Sequence, residues 1–147
     1  MKLVLAYDGF DYSQAALEET TRLAAEGANE VVVVSVVPPD ARGSKSGGHV
    51  GLAPHAHEDV ARAHKHLRER GIPSEMKIAH GEPATEIIRE AEASRADLIV
   101  CGTRGHGPVG RMLLGSVSHM LAENAPCAVL IVSEDRAVRV ERRAPTA

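Results

Sequence analysis

The sequence predicts an α/β domain, a doubly wound sheet of five parallel strands with helices on both faces in the Rossmann-like order 3-2-1-4-5. Apolar, strand-like runs alternate with segments of helical periodicity along the chain. Residues 31–37 (VVVVSVV) are β-branched and nearly all apolar, which is typical of a strand buried on both faces of a parallel sheet. The length of 147 residues fits one domain with a sizeable core.

The first half of the chain contains three predicted strands separated by two helices. The turn signal Asp8-Gly9 closes the first strand, and Gly27 closes the helical pattern that follows it. Residues 40–53 are rich in Gly and Ser and indicate a flexible loop. The apolar face of the second helix contains Ala56, Val60, Ala63 and Leu67. The predicted strands of this half cover residues 2–6, 31–37 and, more weakly, the surroundings of Met76 and Ile78.

The second half continues the alternation. Pro83 fits the first position of a third helix. Residues 97–101 (DLIVC) and 127–132 (CAVLIV) are the predicted fourth and fifth strands, and residues 116–124 form a short helix between them. The domain is expected to cover residues 1–133, and the charged residues 134–147 are expected to form a flexible tail.

Composition excludes several functional classes. The formal charge of −3 does not suggest a broad nucleic-acid surface, and an aromatic content of 2% removes the usual platform for base stacking. No apolar run approaches the ~20 residues of a membrane span. Two cysteines, Cys101 and Cys127, do not make a disulfide framework. The expected location is therefore the cytoplasm, with neither nucleic acid nor membrane as a partner.

The glycine-rich stretch 102–116 (GTRGHGPVGRMLLGS) is the strongest functional signal. It follows the fourth strand, and in doubly wound sheets ligands bind beyond the carboxyl ends of the strands. Gly115-Ser116 opens a helix whose first N–H groups and dipole favour an anion such as phosphate. The alternative is a flexible linker that ends in a helix cap at Ser116. Side chains that could assist binding are the hydroxyls of Ser116 and Ser118 and the guanidinium groups of Arg104 and Arg111.

Two common phosphate motifs do not explain this loop. Gly105, Gly107 and Gly110 satisfy G-x-G-x-x-G, but the match follows the fourth strand rather than the first. The Walker frame is also unsatisfied, because Arg111 and Met112 stand where a lysine and a hydroxyl residue are required.

A wider spacing identifies a family resemblance. Gly102, Gly105, Gly115 and Ser116 fit G-x2-G-x9-G-[S/T], which is the ATP-binding pattern of the universal stress protein family. The sequence resembles this family over residues 1–133, including KLVLAYDGFDYSQAAL at its beginning. The resemblance implies an ATP-binding protein with a regulatory role in the stress response.

The resemblance also implies roles for individual residues. Asp8 corresponds to an acid near the ribose and the metal–phosphate region. Its carboxylate oxygens would suit Mg²⁺, which prefers oxygen ligands. The backbone of Val36 would meet the adenine, with Ala6 beside the base. The residues of the phosphate and ribose loop would be Gly102, Gly105, Gly115 and Ser116, with Val117 following them. Family members commonly form homodimers through the last strand, here residues 128–132, and an apolar edge strand is unstable when left bare.

The sequence favours binding over catalysis. No nucleophile elbow occurs, and no dedicated general base for ATP hydrolysis can be identified. No catalytic residue and no metal-ligating set is therefore predicted, and the histidines near the second helix are interpreted as surface residues. Two alternatives stay open: a slow ATPase or nucleotide-transferring enzyme of a related fold, and an interaction module that needs no ligand.

Overall fold

The computed structural model describes residues 1–9, 11–39, 52–103, 115–133 and 137–141. Strands and helices alternate along these residues as the apolar periodicity predicts. In chain order the elements are β1 (Lys2–Ala6), α1 (Asp11–Ala24), β2 (Glu30–Val37), α2 (Leu52–Glu69), β3 (Ser74–His80), α3 (Pro83–Ser94), β4 (Leu98–Gly102), α4 (Ser116–Asn124), β5 (Ala128–Val132) and β6 (Ala137–Val140).

The strands form one sheet in the order β3-β2-β1-β4-β5-β6. The first five are parallel, so the predicted order 3-2-1-4-5 is confirmed. The third strand, expected only weakly, has seven residues. It lies at one edge of the sheet and leaves Met76 exposed, which explains its weak apolar signal.

The sixth strand corrects two expectations. Residues 137–140 lie within the predicted tail, yet they pair antiparallel with β5, from Val132 opposite Ala137 to Val129 opposite Val140. The high charge of residues 134–147 hid a short strand whose Val140 packs on the core. The sheet therefore has six strands rather than five, and β5 is not the bare edge that the sequence indicated, because β6 satisfies its outer backbone groups.

Two apolar layers lie on opposite faces of the sheet. Alternate residues of each buried strand point to opposite faces, so Leu3 and Leu5 join one layer while Val4 joins the other. Residues of α1 and α2 complete the first layer, and residues of α3 and α4 complete the second. The predicted apolar face of α2 is confirmed, since Ala56, Val60, Ala63 and Leu67 are all buried.

The crossover from β3 to β4 sets the position of the site. The chain builds outward from β1 to β3, then returns to place β4 on the other side of β1. The strand order thus reverses between β1 and β4, and a crevice opens beyond their carboxyl ends. No helix in the described part of the chain is both long and apolar enough to cross a membrane.

Candidate functional site

A cavity of about 280 Å³ opens at the carboxyl ends of β2, β1 and β4, beside the first turns of α3 and α4. These ends meet because parallel strands all finish at one edge of the sheet, and the helix after each strand begins there. The described lining residues are Ala6, Tyr7, Asp8, Tyr12, Ser13, Val34, Val36, Pro38, Pro83, Ile87, Cys101, Gly102, Thr103, Gly115, Ser116, Val117 and Ser118.

One end of the cavity is apolar. It is formed by Val34 and Val36 of β2 together with Pro83 and Ile87 of α3. Val34 and Ile87 are buried in the layer beneath, so this wall is held by the core. Ala6 of β1, which is predicted to lie beside a base, packs against the same layer.

The backbone of Val36 adds polar groups to this apolar end. The Tyr7 amide donates to the Val34 carbonyl at 2.9 Å, so the polar groups of Val34 face β1. The Gly81 amide donates to the Val37 carbonyl at 3.0 Å on the β3 side. Since backbone direction alternates along a strand, the N–H and C=O of Val36 face the β1 side, beyond the end of β1 at Ala6. An N–H and a C=O side by side match the edge of a heterocyclic base.

Asp8 lines the middle of the cavity, just beyond β1. The Tyr12 hydroxyl, from the first turn of α1, donates to Asp8 Oδ2 at 2.9 Å. The turn between β1 and α1 requires glycine, because Gly9 has a φ of +86° and a Cβ there would lie 2.8 Å from the Asp59 carboxylate of α2. The predicted turn therefore lies between α1, which contacts Asp8 through Tyr12, and α2, whose Asp59 approaches Gly9.

Gly102 lies against the backbone of α1 as well as beside the cavity. A Cβ at Gly102 would lie 2.7 Å from the carbonyl carbon of Tyr12 and closer still to its oxygen. The first turn of α1 thus packs directly on the end of β4, and glycine is required by this approach within the chain. Gly102 lines the cavity as predicted, but the space above it is already taken by backbone.

The N-terminus of α4 forms the far end of the cavity. Gly115 is the N-cap, and no side chain of the described residues forms a capping hydrogen bond to this helix. The Gly115 carbonyl accepts from the His119 amide at 3.0 Å, so the preceding N–H groups, from Ser116 to Ser118, belong to the first turn, where no intrahelical acceptor exists. With the helix dipole they favour an anion at this end.

The two serines of this helix differ. Ser116, a predicted phosphate-loop residue, is exposed and lines the cavity. Ser118 is buried, and its hydroxyl donates to the Gly115 carbonyl at 3.0 Å. Its proton is thus used within the helix turn, so Ser118 supports the N-terminus instead of donating to a ligand. The predicted ligands Arg104 and Gly105, and Arg111 with them, lie outside the described residues.

Sequence reasoning missed several lining residues. Tyr7, Tyr12, Pro83 and Ile87 are brought in by tertiary packing. The position of Pro83 at a helix start offered a signal, because helices that follow strands begin at the ligand-binding edge. Burial raises the pKa of the Cys101 thiol to about 12, so this residue contributes a neutral, apolar wall.

The fold and site define a class: doubly wound α/β proteins with a ligand crevice at the point where strand order reverses. The model of the universal stress protein family matches residues 1–133. The chain belongs to the universal stress protein family.

Related proteins cover nearly the whole chain. A universal stress protein from Thermus aquaticus is 37% identical over 137 residues, which is 88% of this chain and 96% of the relative. One from Methanocaldococcus jannaschii is 34% identical over 141 residues, covering 92% and 83%. Among solved structures, a universal stress protein in complex with cAMP superposes with a TM-score of 0.70 at 27% identity, covering 90% of this chain and 96% of that one.

Proposed function

We propose that this protein binds an adenine nucleotide, ATP with Mg²⁺, in the cavity at the ends of β2, β1 and β4. One observation carries the proposal: the order of the chemical groups along the sheet. Apolar walls lie on β2, a carboxylate follows β1, and a helix N-terminus lies beyond β4. A nucleotide presents the same sequence of a flat base, a hydroxylated sugar and an anion.

The base would occupy the apolar end. Val34, Val36 and Ile87 offer apolar contact on its faces. The N–H and C=O of Val36 offer one donor and one acceptor, which match the amino group and ring nitrogen on the edge of adenine. Guanine presents the opposite arrangement at these positions, so we propose a preference for adenine.

The phosphates would lie at the N-terminus of α4, on the N–H groups beside Gly115 and Ser116. Among the described residues, no cluster of three or more metal-ligating side chains occurs. We therefore propose that Mg²⁺ arrives on the phosphates of the nucleotide, which suits an ion that keeps several waters. We keep Arg104 and Gly105 as proposed phosphate-binding residues.

The relative solved with cAMP supports an adenine nucleotide as the class of ligand. We favour binding over turnover, because the sequence offers no dedicated general base for ATP hydrolysis. A protein that holds a nucleotide without efficient chemistry suits a regulatory role in the stress response. A cytoplasmic location is part of the proposal, supported by Cys101 and Cys127, which are not joined in a disulfide.

A homodimer through Ala128–Val132 is also part of the proposal, but it now requires that β6 leave the edge of this strand. This strand, β5, is apolar along its whole length, and its outer edge is covered by the four residues of β6. We propose that β6 and the β5 of a second copy compete for this edge. When β6 detaches, the apolar edge of β5 is again able to pair with another strand.

Thermal unfolding with added nucleotide tests the binding proposal. A ligand that binds only the folded state at 100 times its Kd stabilises that state by about 2.7 kcal/mol. Mg-ATP should therefore raise Tm by roughly 5–10 °C for a chain of this size, while Mg-GTP should give a smaller shift. Millimolar Mg-ATP without any shift would contradict the proposal. Inorganic tripolyphosphate with Mg²⁺ is the control for an effect of the anion alone.

A further inference from the structure

We infer that the outer edge of β3 is a docking surface for a second copy of this chain, whose own β3 pairs antiparallel with it so that Met76 faces Met76. The strand lies at the opposite end of the sheet from β5 and β6, and within the described residues no strand pairs with its outer side. This surface is therefore separate from the nucleotide cavity and from the homodimer proposed at β5.

The backbone of β3 presents hydrogen-bonding groups to a further strand. On its inner side the Gly81 amide donates to the Val37 carbonyl at 3.0 Å. Because backbone direction alternates along a strand, the odd-numbered residues of β3 face β2. The N–H and C=O groups of Ser74, Met76 and Ile78 therefore face outward, and such a row is a template for another strand. With Met76 facing Met76, Ser74 faces Ile78, and each of these residues finds a partner.

The charged side chains of β3 select this register. Glu75 and Lys77 point to the face of the sheet that carries α3, since Lys77 contacts Glu90 of α3 and side chains two apart on a strand share a face. In the proposed register each Glu75 stands opposite a Lys77, and opposite charges at facing positions attract. Centring the pair on residue 75 or 77 instead would place like charges opposite each other. Such charges discourage pairing with other strands, whereas a second copy in this register complements them.

Met76 supplies an apolar contact on the other face of the sheet. Its side chain is 48% exposed. Its neighbours on that face are held within the chain, since Ser74 bonds to His64 of α2 and Ile78 packs against the first apolar layer. Across a two-fold axis the two Met76 side chains would cover each other and remove apolar surface from water. An unbranched thioether adapts readily to such a contact.

Sedimentation over a series of protein concentrations tests this surface. Glu75→Lys places lysine opposite lysine and should raise the dimer Kd about tenfold or more. The double variant Glu75→Lys/Lys77→Glu again places opposite charges face to face, so its Kd should return to within about threefold of the wild-type value. A mixture of the two single variants should associate more tightly than either variant alone. Glu26→Lys is the matched control, because Glu26 is exposed after α1, which packs on the central strands β1 and β4; its Kd should stay at the wild-type value.

Met76→Pro is a second variant that leaves the charges unchanged. Proline at this position removes an outward N–H and spares the hydrogen bonds to β2, so it should also weaken association. Thermal unfolding of each variant checks that it is folded, and Glu75→Lys with Met76→Pro decide the outcome if Lys77→Glu is unstable beside Glu90. Wild-type Kd values in both of these variants would place self-association at another edge and overturn the inference. A wild-type chain that stays monomeric at about 1 mM would overturn it as well.

Discussion

Substitution of Gly102 by alanine separates the two explanations for this glycine. The glycine pattern assigns Gly102 to a phosphate loop, whereas the structure packs the backbone of Tyr12 against it. A Cβ at Gly102 would stand 2.7 Å from the Tyr12 carbonyl carbon, where ordinary contact needs about 3.5–4.0 Å. The first turn of α1 would have to retreat from β4 by about 1 Å. The obstacle is backbone, so trimming the Tyr12 side chain cannot relieve it.

Overpacking of this kind costs about 1–3 kcal/mol. For a chain of this size, a loss of about 2 kcal/mol lowers Tm by roughly 4–8 °C. The measurement is thermal or urea unfolding without any nucleotide. Gly115→Ser is the matched control. Gly115 has a φ of −69°, which any residue adopts, and serine is a favourable N-cap. Its ligand-free Tm should stay at the wild-type value or rise.

If Gly102→Ala unfolds at the wild-type temperature without nucleotide but loses the shift given by Mg-ATP, then Gly102 serves the ligand and the packing argument is wrong.

Three further outcomes are expected. Gly115→Val should abolish the thermal shift given by Mg-ATP, because its branched side chain would stand in the path of the phosphate at the N-terminus of α4; an undiminished shift would place the phosphate elsewhere. Removal of residues 134–147 should increase self-association in sedimentation experiments by uncovering β5, while removal of 142–147 alone should not; equal behaviour of the two truncations would contradict competition by β6. Glu82 caps α3 by accepting from the Thr85 amide at 2.8 Å and from the Thr85 hydroxyl, which lowers the Glu82 pKa below its ordinary 4.5. Glu82→Ala should therefore cost about 1 kcal/mol at pH 7. A lowered folded-state pKa stabilises fully above pH 4.5 and is lost as pH falls through the folded value, so urea unfolding at about pH 3 should show a smaller difference, and a difference independent of pH would refute the cap.

Much of the fold could be read from the sequence because its signals are local. The run of valines at 31–37 needs burial on both faces, and the apolar face of α2 needs a sheet to cover it. Such periodicities, with right-handed crossovers, leave few arrangements for five strands. The strand at residues 137–140 was not predicted, because four residues among charged neighbours show too little apolar pattern. Their pairing with β5 is a tertiary contact.

The candidate site, like the fold, could be predicted from the sequence only in part. Local patterns predict the doubly wound sheet, its carboxyl edge, Asp8 at the end of β1 and the Gly115-Ser116 helix start, since each depends on residues adjacent in the chain. Tertiary packing places Tyr12 against Gly102, 90 positions further along, and places Ile87 at the apolar end of the cavity. These contacts depend on which strands become neighbours and how closely a helix approaches them. Packing sets the distance between helix and strand, and the spacing of residues along the chain does not indicate it.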